Sequence, residues 1–80
     1  MASFLLHHRH RAAECAAAFA AWKGFDSPLR HRSVPSTCLA GGHAIWWCVD
    51  ADGPQAALAL LPDYVAHRTV LIEVRDVQIP

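Results

Sequence analysis

The chain has 80 residues, with seven basic and seven acidic side chains, six histidines and 54% apolar residues. That is one domain's worth of chain (residues 1–80), too apolar to stay disordered and without the net positive charge that gripping a nucleic-acid backbone requires. The charge is uneven, +3 over residues 1–32 and −3 over residues 33–80, and a domain this small gains stability by burying surface against a second copy, so a homodimer is expected.

Residues 3–9 read as a strand that starts apolar and runs into the histidines of "FLLHHRH" (residues 4–10). "FLL" is far shorter than the apolar region of a secretion signal, and no apolar run reaches membrane-spanning length. From Arg11 onward, "AAECAAAFAAWKG" is alanine-rich and predicts a helix, with Cys15, Phe19 and Trp22 on one face and Gly24 as its C-terminal cap. "FDSPLRHRSVPS" (residues 25–36) has two prolines and no period, so it is a long loop, with Arg30 and Arg32 as candidate anion contacts. "TCLAGGHAIWWCVD" (residues 37–50) predicts a hairpin turning at Gly41-Gly42. "DGPQAALALLPDYVAH" (residues 52–67) predicts a second helix that starts at Asp52 or Gly53, with Pro54 in its first turn and Ala57, Leu58, Leu61 and Val65 as its buried stripe. Pro62 breaks an interior hydrogen bond, so a kink or a restart is expected there. "TVLIEVRDVQI" (residues 69–79) alternates as a strand, with Val70, Ile72 and Val74 on one face.

The order β-α-β-β-α-β predicts an α+β fold, the ferredoxin-like sandwich: a four-stranded antiparallel sheet with two helices on one face. The bare sheet face would then pack on a second copy as a dimeric α+β barrel and hide one of the two tryptophans, Trp46 or Trp47. In that topology the end of the first strand lies beside the turn before His43, the end of the second strand near Cys38 and the start of the fourth after His67. Alternation puts His8 and His10 on one face of the first strand and His7 on the other. An H-x-H pair sets two rings on one side, roughly 6.6 Å apart at the backbone. Across the Gly41-Gly42 turn, Ala40 pairs with His43 and Cys38 with Ile45, so Cys38, His43, Ile45 and Trp47 share a face; which sheet face that is stays open. If it is the face of His8 and His10, then His8, His10, His43 and Cys38 form a candidate metal set. Trp47, His7, Cys15 and His67 would line its surroundings. Imidazole and thiolate donors favour nickel, zinc or copper over magnesium or calcium. Cys15 starts a helix, which can lower a thiol's pKa, but its place on the Phe19-Trp22 stripe assigns it to the core. Three cysteines without C-x-x-C spacing argue against a disulfide framework and for a reducing cytoplasm.

Three stretches, "FLLHHRH" followed by "AAEC", "HAIWWCVDADGPQAALAL" and "VLIEVRDVQI", together resemble a group of small stand-alone ferredoxin-like bacterial proteins. The group includes a nickel-binding-protein-like family and relatives of the dimeric α+β barrel proteins. The resemblance covers nearly the whole chain; it implies a ferredoxin-like fold and sets His8 at the place of a first-strand histidine, and Trp47 or Cys48 at that of a third-strand cysteine. The expected function is a cytoplasmic dimer that binds a transition metal at its histidine-rich end. The alternatives are a cofactor-independent α+β barrel enzyme of monooxygenase or isomerase type, with His8 or His43 as general base, and a non-catalytic interaction module. A nucleic-acid role is not expected, because the central strands lack a basic-aromatic pattern.

Overall fold

In the computed structural model, which describes residues 1–80, three strands form one antiparallel sheet. They are β1 (Ala2–Arg9), β2 (Ala44–Ala51) and β3 (Thr69–Val74), in the spatial order β2-β1-β3. Three short helices accompany them: α1 (Cys15–Ala20), α2 (Pro54–Leu58) and α3 (Asp63–Ala66). Single 3₁₀ turns lie at Ala12–Glu14 and Cys38–Ala40. No helix is long and apolar enough to cross a membrane.

This corrects the expected fold: the four-stranded ferredoxin-like βαββαβ sandwich with two helices does not form. What is missing is the second strand. Residues 34–37 touch the outer edge of β2 through one bridge, Ser36 to Ile45, flanked by Thr37 N donating to Ala44 O (3.0 Å) and Trp46 N donating to Pro35 O (3.0 Å). Pro35 has no N–H to offer a ladder. Ser36 and Thr37 spend their hydroxyls on local backbone instead, accepting from Cys38 N (3.0 Å) and Ala44 N (3.1 Å). Such bonds compete with strand pairing, and Cys38–Ala40 accordingly winds into a 3₁₀ turn. The expected two-residue hairpin becomes a longer loop that passes through Gly41 at φ 89°.

The helices are also shorter than their alanine content predicts. The first breaks into the 3₁₀ turn and α1, which ends at Ala20, leaving Gly24 (φ 73°) in the turn that follows. The second stops at Leu58, and α3 restarts after Pro62, in line with the restart expected of that proline. Gly53 caps α2 and Pro54 occupies its first turn.

The core lies between the helices and one sheet face. Phe4, Leu6 and His8 of β1 face Val49, Trp47 and Ile45 of β2 in register, and Ala57, Leu61 and Val65 cover them from α2, α3 and the turn between. Phe4 and Leu6 are sealed from solvent, each side chain worth about 1.5–3 kcal/mol of burial. The opposite face, including Leu5, His7, Trp46, Cys48, Val70 and Ile72, carries no helix.

Candidate metal centre

The apolar alternation of β1 does not stop at Leu6. Its next two inward positions are His8 and His10, with solvent exposures of 0% and 7%, and both rings are buried where Leu or Val would ordinarily sit. Backbone pairing continues past the strand end, with His10 N donating to His43 O at 3.0 Å, so the two histidines stand opposite one another. This settles the face left open by the sequence: Ile45 and Trp47, and with them His43, are on the side of His8 and His10. The ring centroids of His10 and His43 are 5.4 Å apart.

The third member comes from α1. One donor atom each from His10, Cys15 and His43 lie within 4.8 Å of one another, so the three residues could hold a metal ion. Cys15 is placed there by a clamp on the turn before it. Glu14 accepts at one carboxylate oxygen from the backbone N of Arg11 (2.8 Å) and at the other from Nε and Nη2 of Arg68 (both 3.1 Å). Arg68, at the entry to β3, lies 3.7 Å above the Tyr64 ring and donates Nη1 to the Tyr64 carbonyl (3.0 Å). The hydrogen bond from the Arg11 backbone N–H, then that from Arg68, hold the Glu14 carboxyl below its ordinary range. A charged carboxylate–guanidinium pair thus ties the start of α1 to the start of β3.

His43 is positioned by the loop before it. Thr37 accepts at its backbone carbonyl from Gly42 N (2.8 Å) and at its hydroxyl from Ala44 N, bracketing His43 on both sides. A Cβ on Gly42 would collide with the Thr37 hydroxyl, so the loop closes this tightly only over glycine.

The hydrogen bonds also specify where the protons sit. His8 Nδ1 lies 3.2 Å from the Val65 carbonyl and 3.4 Å from the Thr69 hydroxyl, whose own proton goes to that carbonyl (2.7 Å). A carbonyl only accepts, so His8 Nδ1 carries the proton and His8 Nε2 is the acceptor. His8 Nε2 is 2.9 Å from His10 Nδ1, which must therefore donate. The remaining nitrogen, His10 Nε2, is left with a free lone pair. It is buried and has no hydrogen-bond partner, as is His43 Nδ1. Burial holds both His8 and His10 below the ordinary imidazole pKa, with the neighbouring His43 adding to the effect at His10, so both rings are neutral near pH 7. Two buried imidazole nitrogens without partners are the kind of orphan that a bound ion satisfies.

The remaining sequence candidates lie elsewhere. His8 touches His10 rather than joining the triad. Cys38 packs against the hydrophobic core, because the bridge forms at Ser36–Ile45 and not at Cys38–Ile45. His7 points to the open sheet face and stacks on Trp46 at 4.8 Å. Trp47 is core, tilted against His8 at 6.4 Å, and His67 is exposed at the end of α3. The Val65 carbonyl acts through backbone and has no sequence signature, and neither has the Thr37 bracket, which pairs a carbonyl with a hydroxyl in an aperiodic loop. A cleft of about 460 Å³ borders the sheet end, lined by His10 and His43 with His7, Arg9, Thr37 and Trp46 among its walls. No protein-family model, curated protein or solved structure matches this chain.

Proposed function

We propose that this domain binds one transition-metal ion through His10, Cys15 and His43, as a carrier or sensor rather than a catalyst, and that it works as a homodimer paired through the open sheet face. The observation that supports it is the pair of buried, partnerless imidazole nitrogens, His10 Nε2 and His43 Nδ1, beside a thiol. Two imidazoles and a thiolate are a borderline-soft donor set, suited to zinc, copper or nickel. Three protein ligands leave a coordination position free for an exchanging ligand. His8 acts as the outer partner: a metal-bound histidine ordinarily donates its second N–H to an acceptor, and His8 Nε2 is that acceptor for His10. His8 itself is sealed from solvent, which argues against its serving as a general base on a substrate.

The test is equilibrium dialysis of chelator-stripped, tag-free protein against zinc, nickel and copper, with cobalt substitution to read the ligands. One equivalent of metal is expected, with a thiolate-to-cobalt charge-transfer band that disappears in Cys15→Ser and survives in Cys38→Ser. No uptake of any of the metals sinks the proposal. A band that depends on Cys38 instead of Cys15 replaces the ligand set.

A further inference from the structure

A second site lies on the helix side of the sheet, between α1, the long loop and β2. It is a pocket of about 280 Å³ floored by Phe19, Trp22, Ile45 and Trp47 and rimmed by Arg30 and Arg32. The Trp22 and Trp47 rings meet at 5.8 Å with a 44° tilt, giving the floor a fixed aromatic corner. No acidic residue lines the pocket. Neither arginine has an ion-pair partner: both ion pairs of the molecule go to Glu14, and Arg30 makes only a long bond, 3.5 Å, to the Phe25 carbonyl. Between them, His31 adopts φ 65°, the one non-glycine residue of the chain in the left-handed region. A histidine there is unfavourable in isolation, and strain of this sort collects at ligand clamps.

We infer that this pocket binds a small amphipathic organic anion, an aromatic or short branched carboxylate whose apolar part rests on Trp22 and Trp47 while its charge meets Arg30 and Arg32. Apolar walls with a few convergent polar groups are the ordinary make-up of a small-molecule site. Guanidinium groups suit a carboxylate because they offer paired N–H donors in a planar fork. A neutral apolar ligand leaves the arginines unanswered, and a bare inorganic anion leaves the aromatic floor wet. The inference uses none of the candidate metal ligands; Phe19, edge-on to His10 at 6.3 Å, and Trp47, tilted against His8 at 6.4 Å, border both places.

The three tryptophans make the test internal to the protein. Trp22 and Trp47 line the pocket, while Trp46 is on the opposite sheet face against His7. Full-length protein labelled with ¹⁵N is titrated with 3-phenylpropionate, with the neutral 3-phenylpropionamide and with inorganic phosphate, following the indole N–H signals. The carboxylate is expected to saturate with a Kd on the order of 1 mM, typical of a ligand with about ten heavy atoms. It should move the Trp22 and Trp47 signals and leave Trp46 in place. The amide is expected to bind about tenfold more weakly, in keeping with loss of a charge-assisted hydrogen bond. Arg30→Gln and Arg32→Gln, both at the rim and outside the core, should bring the acid towards the affinity of the amide. Equal affinity for acid and amide overturns the inference, as does phosphate matching the acid. Shifts at Trp46 instead of Trp22 and Trp47, or no shifts at all, overturn it equally.

Discussion

At the scale of single residues, the chain places imidazoles where its own pattern calls for apolar side chains. Each buried ring forgoes hydration, which disfavours its charged form and pushes its pKa down. His8 is lowered chiefly by burial, and by the nearby His10 and Arg68 as well; His10 is lowered by burial and by His43. The consequence for stability has a definite sign. In the unfolded chain these rings take up protons near the ordinary value of 6.5, while in the folded chain they resist until lower pH. Below about 6.5 the unfolded state therefore binds more protons, and the metal-free fold weakens as pH falls through that range, by up to about 1.4 kcal/mol per pH unit for each histidine. Glu14, lowered by the backbone of Arg11 and by Arg68, adds a further loss in the acid range below its ordinary value of 4.5. The check is urea denaturation with chelator present at steps from pH 8 to pH 5. A midpoint constant from pH 8 to 7 and falling steadily below it is expected, whereas an unchanged midpoint down to pH 5 contradicts neutral burial of His8 and His10. Zinc should oppose the fall, because a ligand bound only by the folded state adds to its stability. Part of this arrangement is legible in the sequence: strand alternation separates His7 from His8, and the expected neighbourhood of the first strand's end and the residues entering the tryptophan strand sets His43 beside His10. The cysteine is not legible in the same way. Whether Cys15 or Cys38 reaches the histidines depends on how a loop and a 3₁₀ turn wind, and neither has a periodicity to read.

At the scale of elements, two short irregular segments carry the site, one held by the Glu14 carboxylate clamp and the other by the hydroxyl and carbonyl of Thr37. The loop before β2 depends on Gly42. Replacing it with alanine drives a Cβ into the Thr37 hydroxyl, and either that hydroxyl leaves Ala44 N or the loop opens. Gly42→Ala is expected to destabilise the fold by about 1–3 kcal/mol, the usual range for forcing extra volume into a closed space. It should also weaken metal uptake, because His43 is the next residue. Gly24→Ala serves as the comparison: nothing lies near that position, so it costs only the strain of its positive φ and leaves metal uptake intact. Thermal melts and dialysis of the two variants side by side decide the matter. If Gly42→Ala takes up metal like the parent chain, the loop does not position His43. The fold itself was legible only in part. Strands with strong alternation and the restart at Pro62 follow from pattern and backbone chemistry. The missing strand follows from what Pro35, Ser36 and Thr37 do with their hydrogen bonds, and a count of apolar residues does not see that. Alanine content likewise overstates the first helix, since alanine favours helix locally but offers little side chain to bury.

At the scale of the whole molecule, the surface is too large for the mass. A monomer of 8.8 kDa ordinarily exposes about 4,800 Å², while this chain exposes 5681 Å². The extended segment from Arg75 to Pro80 accounts for part of the excess. The uncovered sheet face adds to it, with Val70 at 62% and Ile72 at 51% exposure beside Leu5, Trp46 and Cys48. A small domain with only 15 buried residues gains most from covering such a face, because its own interior supplies so little of the required burial. We propose that a second copy covers it in a two-fold arrangement, each chain offering the same apolar face. Sedimentation equilibrium of the unmodified chain is expected to report twice the chain mass at micromolar concentrations. Ile72→Glu, on the edge strand of that face and outside the core, should shift it to the chain mass while the far-ultraviolet circular dichroism stays the same. Because His7 and Trp46 stack on that face and also line the cleft beside His10 and His43, pairing would narrow the route to the metal centre. Metal release from Ile72→Glu should then be faster than from the parent chain, with equilibrium capacity still one ion per chain. A parent chain that sediments as a monomer at every concentration removes both expectations together.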